Sequence, residues 1–170
     1  MKRIRIIDET FRKSPQNYIT QSLLAIVAMA LILHFVGFLT RGAVVAALGS
    51  STFVVFVMPN YVTARPRKLI GGHIVGLLSG FICYYVFLTG PLGEIYKNQD
   101  SILWIAGAFS VGLSIFLMTI TQTEHAPAAG TALGIVAHEW TYQTVIFIVA
   151  FVVSLTVIRR LLRGYLRDLV

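Results

Sequence analysis

Residues 121–139 read TQTEHAPAAGTALGIVAHE. A Glu-His pair, a proline and a run of Ala, Gly and Thr stand between two long apolar stretches, and the number of membrane crossings depends on whether this segment crosses. Around it, four stretches reach the ~17–25 residues that a bilayer core of ~30 Å requires. They are roughly 18–39, 69–89, 102–121 and 143–163. Of the 170 residues, 12% are charged and 56% hydrophobic, whereas soluble domains carry about 25% charged residues. Composition therefore excludes the soluble class and leaves room for one membrane domain. The single cysteine, Cys83, falls inside an apolar stretch, so neither an internal disulfide nor a Cys-rich metal site is expected.

Charge sets the topology. Lys and Arg favour the cytoplasmic side. Lys2, Arg3, Arg5, Arg12 and Lys13 precede the first apolar stretch, Arg65, Arg67 and Lys68 fall in NYVTARPRK, and Arg159, Arg160, Arg163 and Arg167 follow the last. Placing all of these inside leaves only Arg41 and Lys97 of the 14 basic residues outside. The net charge of +7 is then a topology signal, and a nucleic-acid surface is not expected, because the basic residues flank apolar helices. The N-terminal MKRIRIIDETFRK carries Ile4, Ile7 and Phe11 at helical spacing. It predicts an amphipathic helix on the inner surface followed by a retained first crossing, since the run after Ser22 is too long for a cleavable signal.

This assignment forces two further crossings. The N-terminus and residues 59–68 are both inside with one long helix between them, so 43–58, AVVAALGSSTFVVFVM, crosses too. The same argument makes roughly 126–139 cross between Thr121 and the last helix. At ~1.5 Å per residue that segment is short for a lipid-facing helix and needs shielding by protein. The predicted fold is an all-α polytopic membrane protein of six crossings, arranged as two inverted three-helix repeats, 18–90 and 102–163. Residues 1–17 and 164–170 are the cytoplasmic ends. The alternative is four transmembrane helices plus two re-entrant segments. Paired short, Gly- or Pro-interrupted segments in inverted halves are a pointer to transporters.

The middle segments carry the candidate site. Gly49, Ser50, Ser51 and Thr52 fall in one, and Gly130, Thr131 and Ala132 in the other. A break at Ser51 and a helix start at Pro127, with Gly130-Thr131 as a second break, would aim helix N-termini at mid-membrane, where they favour anions. Close helix packing is the competing explanation for the small residues. It applies directly to the Gly72-Gly76-Gly80 and Ala106-Ser110-Ser114 stripes, of which the glycine stripe faces a helix of this chain or of another subunit. No Asp or Glu lies in the middle of a crossing, and cation carriers place carboxylates there; an anion or a neutral solute remains. His73 and His125, with Glu124 beside the latter raising its proton affinity, are candidates for an inner gate or proton relay. Arg65 and Arg67 would attract anions at the inner mouth or merely anchor topology. Two alternatives use the same residues. His73 and His125 on one side and His34 and His138 on the other could ligate hemes, or Ser51 or Thr131 could act as a nucleophile, though no GxSxG elbow or deep acidic orienter accompanies them.

The stretch GSSTFVVFVMPNYVTARPRKLIGGH, residues 49–73, resembles the first signature of the HPP family of integral membrane proteins: a Gly-Ala-Ser-like segment, a Pro, an Ala-Gln-Pro-Arg loop and Gly-Gly-His. The second signature, His-Pro-Pro followed by Gly, Ala and Thr, is similar to His125-Ala126-Pro127-Ala128-Ala129-Gly130-Thr131. The resemblance runs from about residue 43 to the C-terminus. Ala126 stands where the family has its first Pro, and Arg65 where it has Gln; the first loosens the turn before the fifth crossing, and the second adds positive charge at the inner mouth. The family is usually described as four-helix, which agrees with six if simple hydropathy misses the two motif segments. Plastid members are implicated in nitrite transport, so the resemblance implies a transporter of a small inorganic anion, nitrite first and nitrate next. The expected protein is a homo-oligomer in a lipid bilayer, the cell inner membrane, with no metal, no cofactor and no enzymatic activity.

Overall fold

The structure, a computed structural model, describes residues 13–36, 42–90, 101–138 and 140–170. The amphipathic segment expected at 1–17 lies mostly outside these residues, as do Arg41, Lys97 and Glu139. The described residues form six α-helices: α1 Pro15–Val36, α2 Gly42–Val57, α3 Pro66–Cys83, α4 Ser101–Ile120, α5 Ala126–Ala137 and α6 Tyr142–Leu162. A 3-10 turn, Val62–Ala64, precedes α3, and a π-helical turn, Tyr84–Thr89, extends it. Each predicted segment is a helix, including both short ones.

The bundle is apolar outside and partly polar inside, as lipid demands. On α6, Ile146, Val149, Val153, Val157 and Leu161 recur every three or four residues and are exposed. Gln21, Ser51, His73, Ser110, Ser114, His125, Thr131 and Thr144 are buried. Among the described residues, three helices are long and apolar enough to cross a membrane: Pro66–Thr89, Ile102–Ile120 and Tyr142–Leu162. The 12-residue α5 would reach only ~18 Å at ~1.5 Å per residue, and it does not face lipid on all sides. It packs against α2, α3 and α4, so its neighbours supply the shielding that a short crossing needs.

How α5 begins explains the opening stretch. Past the end of α4, Gln122 takes the left-handed conformation at φ 55°. Gln122 N–H donates to the Thr119 carbonyl at 3.3 Å and Thr123 N–H to the Met118 carbonyl at 2.9 Å. This Schellman-type stop satisfies the last carbonyls of α4. Thr123 and His125 then turn back into the bundle beside Gly71 and Gly72. A Cβ at Gly71 would meet Thr123 Cγ2 at 2.7 Å, and one at Gly72 would meet His125 Cβ at 2.7 Å. Pro127 sits in the first turn of α5, where it is tolerated because that N–H lacks a helical partner.

The glycine stripe is used within the chain. A Cβ on Gly76 would stand 2.4 Å from the Ala128 carbonyl oxygen, and one on Gly80 2.7 Å from Ile135 Cβ. The contacts 72–125, 76–128 and 80–135 run in step, so α3 and α5 are parallel and touch backbone to backbone. A Cβ on Gly130 would meet Ala47 Cβ at 3.1 Å and Ser51 meets His125, so α2 and α5 are antiparallel.

Two expectations about breaks are corrected. Helix α2 runs unbroken through Gly49-Ser50-Ser51-Thr52, and α5 through Gly130-Thr131. The hydroxyls of Ser50 and Thr52 donate to the carbonyls of Ala46 and Leu48 at 2.9 and 3.0 Å, and the Ser51 hydroxyl lies 3.0 Å from the Ala47 carbonyl oxygen. They satisfy themselves inside the helix and do not cap a new one. The N-termini of antiparallel α2 and α5 lie toward opposite ends and do not converge at mid-membrane.

At the end bearing the RPRK loop, the tail closes the bundle. Gln21 Nε2 donates to the Phe56 carbonyl at 2.6 Å and the Arg167 carbonyl at 2.8 Å, and Leu169 N–H donates to the Val57 carbonyl at 2.9 Å. The carbonyls that end α2 are thereby partnered. Gly76→Ala is expected to destabilise by about 1–3 kcal/mol through overpacking. Gly112→Ala, where nothing lies within 4 Å of the added carbon, is expected to be neutral or stabilising by up to ~1 kcal/mol. Thermal unfolding of both variants in detergent checks the contrast.

Candidate functional site

Four side chains from four elements meet between α2, α3 and α5. Ser51 Oγ lies 2.9 Å from His73 Nε2 and 3.0 Å from His125 Nε2. His73 Nδ1 lies 2.8 Å from Thr131 Oγ1, and His125 Nδ1 lies 3.1 Å from the Thr63 carbonyl oxygen. The two imidazole rings are 5.3 Å apart and tilted by 53°. Ser51, His125 and Thr131 are 0% exposed and His73 is 2% exposed.

Local sequence builds this cluster. Gly71 and Gly72 have no side chains to block the returning link, so His125 reaches the depth of His73. His125 caps α5 from an extended conformation, φ −142° and ψ 98°, and this extended backbone leads the link into α5. Ser51 lies on the α2 face toward α5, opposite Thr131 and His125. The Gly-Gly-His and His-Ala-Pro motifs are thus two halves of one contact.

The remaining sequence candidates are dispersed around it. Gly49 and Ser50 lie to one side of the α2–α5 contact, where with Phe53, Val54, Ala126 and Pro127 they line an open groove of about 640 Å³. Thr52 is buried and bonds its own helix. Gly130 packs on Ala47, and the Ala132 carbonyl approaches Gly80. Glu124 is directed away from the role expected of it: its carboxylate accepts from Lys68 Nζ in an ion pair and no contact joins it to the His125 ring. That hydrogen bond from Lys68, assisted by the charges of Lys68 and Arg67, holds the Glu124 carboxyl below the usual carboxylate range. Arg67 Nη2 donates to the Thr121 carbonyl at 3.2 Å, so Arg67 and Lys68 together tie the basic loop to the α4–α5 link. Arg65 is exposed and provides no side-chain cap to α3. His138 is exposed at the far end of α5, and the His34 side chain lies outside the described residues.

Several contributors were not singled out from sequence. The carbonyls of Thr63 and Ala47 are backbone groups with no side-chain signal. The steric role of Gly71 appears only when its neighbour is known. Lys68 was counted as a topology charge, and only the fold brings it to Glu124. Among the described residues, no group of three or more His, Cys, Asp or Glu converges as a metal site would require.

The arrangement defines an α-helical membrane protein with a polar, carboxylate-free centre. The chain matches the family described as HPP, transmembrane region, over residues 11–166, and it belongs to that family. It is also 30% identical over 89 residues to a curated transmembrane protein of Dictyostelium discoideum. That match covers 52% of this chain and 28% of the relative, so this chain corresponds to only part of that protein's length. No solved structure matches.

Removing the Thr131 hydroxyl strands one buried imidazole nitrogen and removing that of Ser51 strands two, at a cost of at least about 1–3 kcal/mol. Ser51→Ala and Thr131→Val are each expected to lose that much stability, and Ser50→Ala less than ~0.5 kcal/mol, by denaturation in detergent. The Lys68–Glu124 pair has a different signature. Its carboxyl is depressed in the fold, so its contribution is present at neutral pH and is lost as pH falls through the lowered value. Lys68→Met is expected to lower the melting temperature at neutral pH, with the gap to wild type closing in acid.

Proposed function

We propose that the protein is a membrane transporter, carrier or channel-like, for a small inorganic anion, with nitrite first and nitrate next. The observation that carries this is the buried Ser51–His73–His125–Thr131 cluster. It sets hydroxyl and imidazole groups at the contact of the two short helices, in a bundle whose outside is apolar. A desolvated anion needs donors and tolerates no nearby carboxylate. The cluster offers the first, and its nearest acid, Glu124, is already committed to Lys68. The substrate expectation attached to the family adds nitrite to this chemistry.

In this proposal Ser51 and Thr131 contact the anion, and His73 and His125 serve as gate or proton relay. Gly49 and Ser50 line the lateral groove beside the site, with Thr52, Gly130 and Ala132 in the walls. Arg65 and Arg67 concentrate anions at the basic end, which faces the cytoplasm of an inner membrane with both termini. The two halves act as inverted repeats, α1–α3 and α4–α6. Helix contacts support this: α1–α2, α1–α6 and α2–α6 each have a counterpart, namely α4–α5, α4–α3 and α5–α3, while α2–α5 and α3–α6 are their own counterparts. A homo-oligomer is the proposed assembly.

The other chemistries draw less support. In the heme alternative, both Nε2 atoms would have to leave Ser51, and rings 5.3 Å apart leave no space for a porphyrin between them. Ser51 does have imidazole partners, but neither Nδ1 meets a carboxylate and the hydroxyl is buried. The proposal is therefore of a transporter and not of an enzyme.

Uptake into proteoliposomes, comparing nitrite, nitrate, formate and chloride, tests the proposal. Saturable, selective nitrite uptake is expected. Thr131→Val is expected to fold and to lower uptake about tenfold or more, since a hydrogen bond to a charged group contributes ~1.5–3 kcal/mol. Absence of flux from folded protein, or wild-type uptake by the variant, would sink it.

A further inference from the structure

The hydrogen-bond partners of the cluster fix where its protons are. The Thr63 carbonyl can only accept, so His125 Nδ1 carries a hydrogen. If that ring is neutral, its Nε2 is bare and accepts from Ser51. The single Ser51 proton is then used, so Ser51 accepts from His73 Nε2–H. His73 Nδ1 is bare in turn and accepts from Thr131. One carbonyl at the end of the chain determines every link, and the two histidines are opposite tautomers.

A second arrangement of the same heavy atoms holds one more proton. Ser51 Oγ lies 3.0 Å from the Ala47 carbonyl as well as 3.0 Å from His125 Nε2. If His125 Nε2 takes a proton, Ser51 turns its own hydrogen to Ala47 and accepts from both rings through its two lone pairs. Every atom remains partnered. His73 lacks this freedom. A proton on its Nδ1 would require Thr131 to become an acceptor, and the Thr131 hydroxyl makes no other hydrogen bond among the described residues.

Among the described residues, the charge so gained has no partner. Around the site, α2 offers no titratable group, and α3 offers His73 with Arg67 and Lys68 nearer the basic end. The α4–α5 link offers Glu124, held by Lys68, and the 3-10 turn offers a carbonyl alone. The surroundings of His73 toward α6 are apolar: Ile148, Val149 and Val152. A cation without a counter-ion in this setting calls for an anion.

We propose that His125 is a proton-binding site and Ser51 its toggle, so that the centre takes up one proton with one small anion and the pair moves as a neutral unit. The proton comes from water on the loading side and bonds to His125 Nε2; on release it returns to water, and the Ser51 hydrogen swings back. This deepens the transport proposal and rests on it only for the anion.

Two measurements separate the parts. Nitrogen-15 NMR of histidine-labelled full-length protein in bilayers is expected to show His73 as the Nε2–H and His125 as the Nδ1–H tautomer. On acidification His125 alone becomes doubly protonated. Identical tautomers, or His73 protonating first, would overturn the toggle. In proteoliposomes, nitrite uptake is expected to be driven by a pH gradient and to be unaffected by a potassium–valinomycin potential. Ser51→Ala is expected to lose the pH-gradient stimulation and Ser51→Thr, which keeps the hydroxyl, to restore it. Nitrite uptake driven by potential and indifferent to pH overturns the proton coupling while leaving the transporter standing. The predicted tautomers without flux of any anion leave the proton site standing and remove the transporter.

Discussion

A polar group surrounded by lipid or apolar side chains must find a partner inside the protein, and the centre of this bundle is arranged around that demand. Four side chains and two backbone carbonyls satisfy one another there with no water required. Since each imidazole has two nitrogens and the serine one proton, the set closes only when its members come from α2, α3, the α4–α5 link and α5 together. The cluster thus does for this bundle what a hydrophobic core cannot. It specifies which short helix sits opposite which residue of its neighbours.

The glycines make that closure possible. Gly72, Gly76 and Gly80 let α5 lie along α3 at backbone distance, and Gly71-Gly72 opens the space through which the link turns inward. A short helix is expensive in lipid because its ends expose unpaired backbone groups. Here the end of the short α2 is closed by Gln21 and the tail, and the Gln122 stop closes the α4 end from which the chain turns into the short α5. Lys68 and Arg67 hold the link at the basic end. The family signatures can be read in these terms: Gly71, Gly72 and Gly130 are places where another chain segment passes closely, and His73 and His125 places where that segment is recognised.

Much of the architecture was legible in the sequence. Apolar length placed four helices, and charge bias with the requirement for an even count of crossings placed the two short ones, each to within a few residues. The identification of Ser51, Thr131, His73 and His125 as the residues worth attention also came from sequence. Their relation did not. Ser50 and Ser51 are adjacent in sequence, yet Ser50 is exposed in the groove and Ser51 is buried against the two imidazoles, and only the register against α5 tells them apart. The expected breaks failed because Ser and Thr hydroxyls inside an apolar helix bond back to their own carbonyls, which hides polarity without ending the helix. Glu124 beside His125 suggested an acid–base pair, but neighbours in an extended segment point apart, and a lysine far along the chain claims the acid.

A site that is fully satisfied in its closed form has a mechanical consequence. Any solute entering it must replace hydrogen bonds already made, so affinity for a neutral solute would be low: it would exchange like for like while separating α2 from α5. An anion differs because its bonds to hydroxyl and imidazole donors are charge-assisted and stronger than the neutral bonds they replace. The gain is greatest when an imidazole is protonated, which is the state the Ser51 hydroxyl can accommodate without moving a heavy atom. Under the proposed function, closure, anion preference and proton requirement would be three results of one fact, that the polar centre contains two imidazoles and two hydroxyls and no carboxylate to neutralise them.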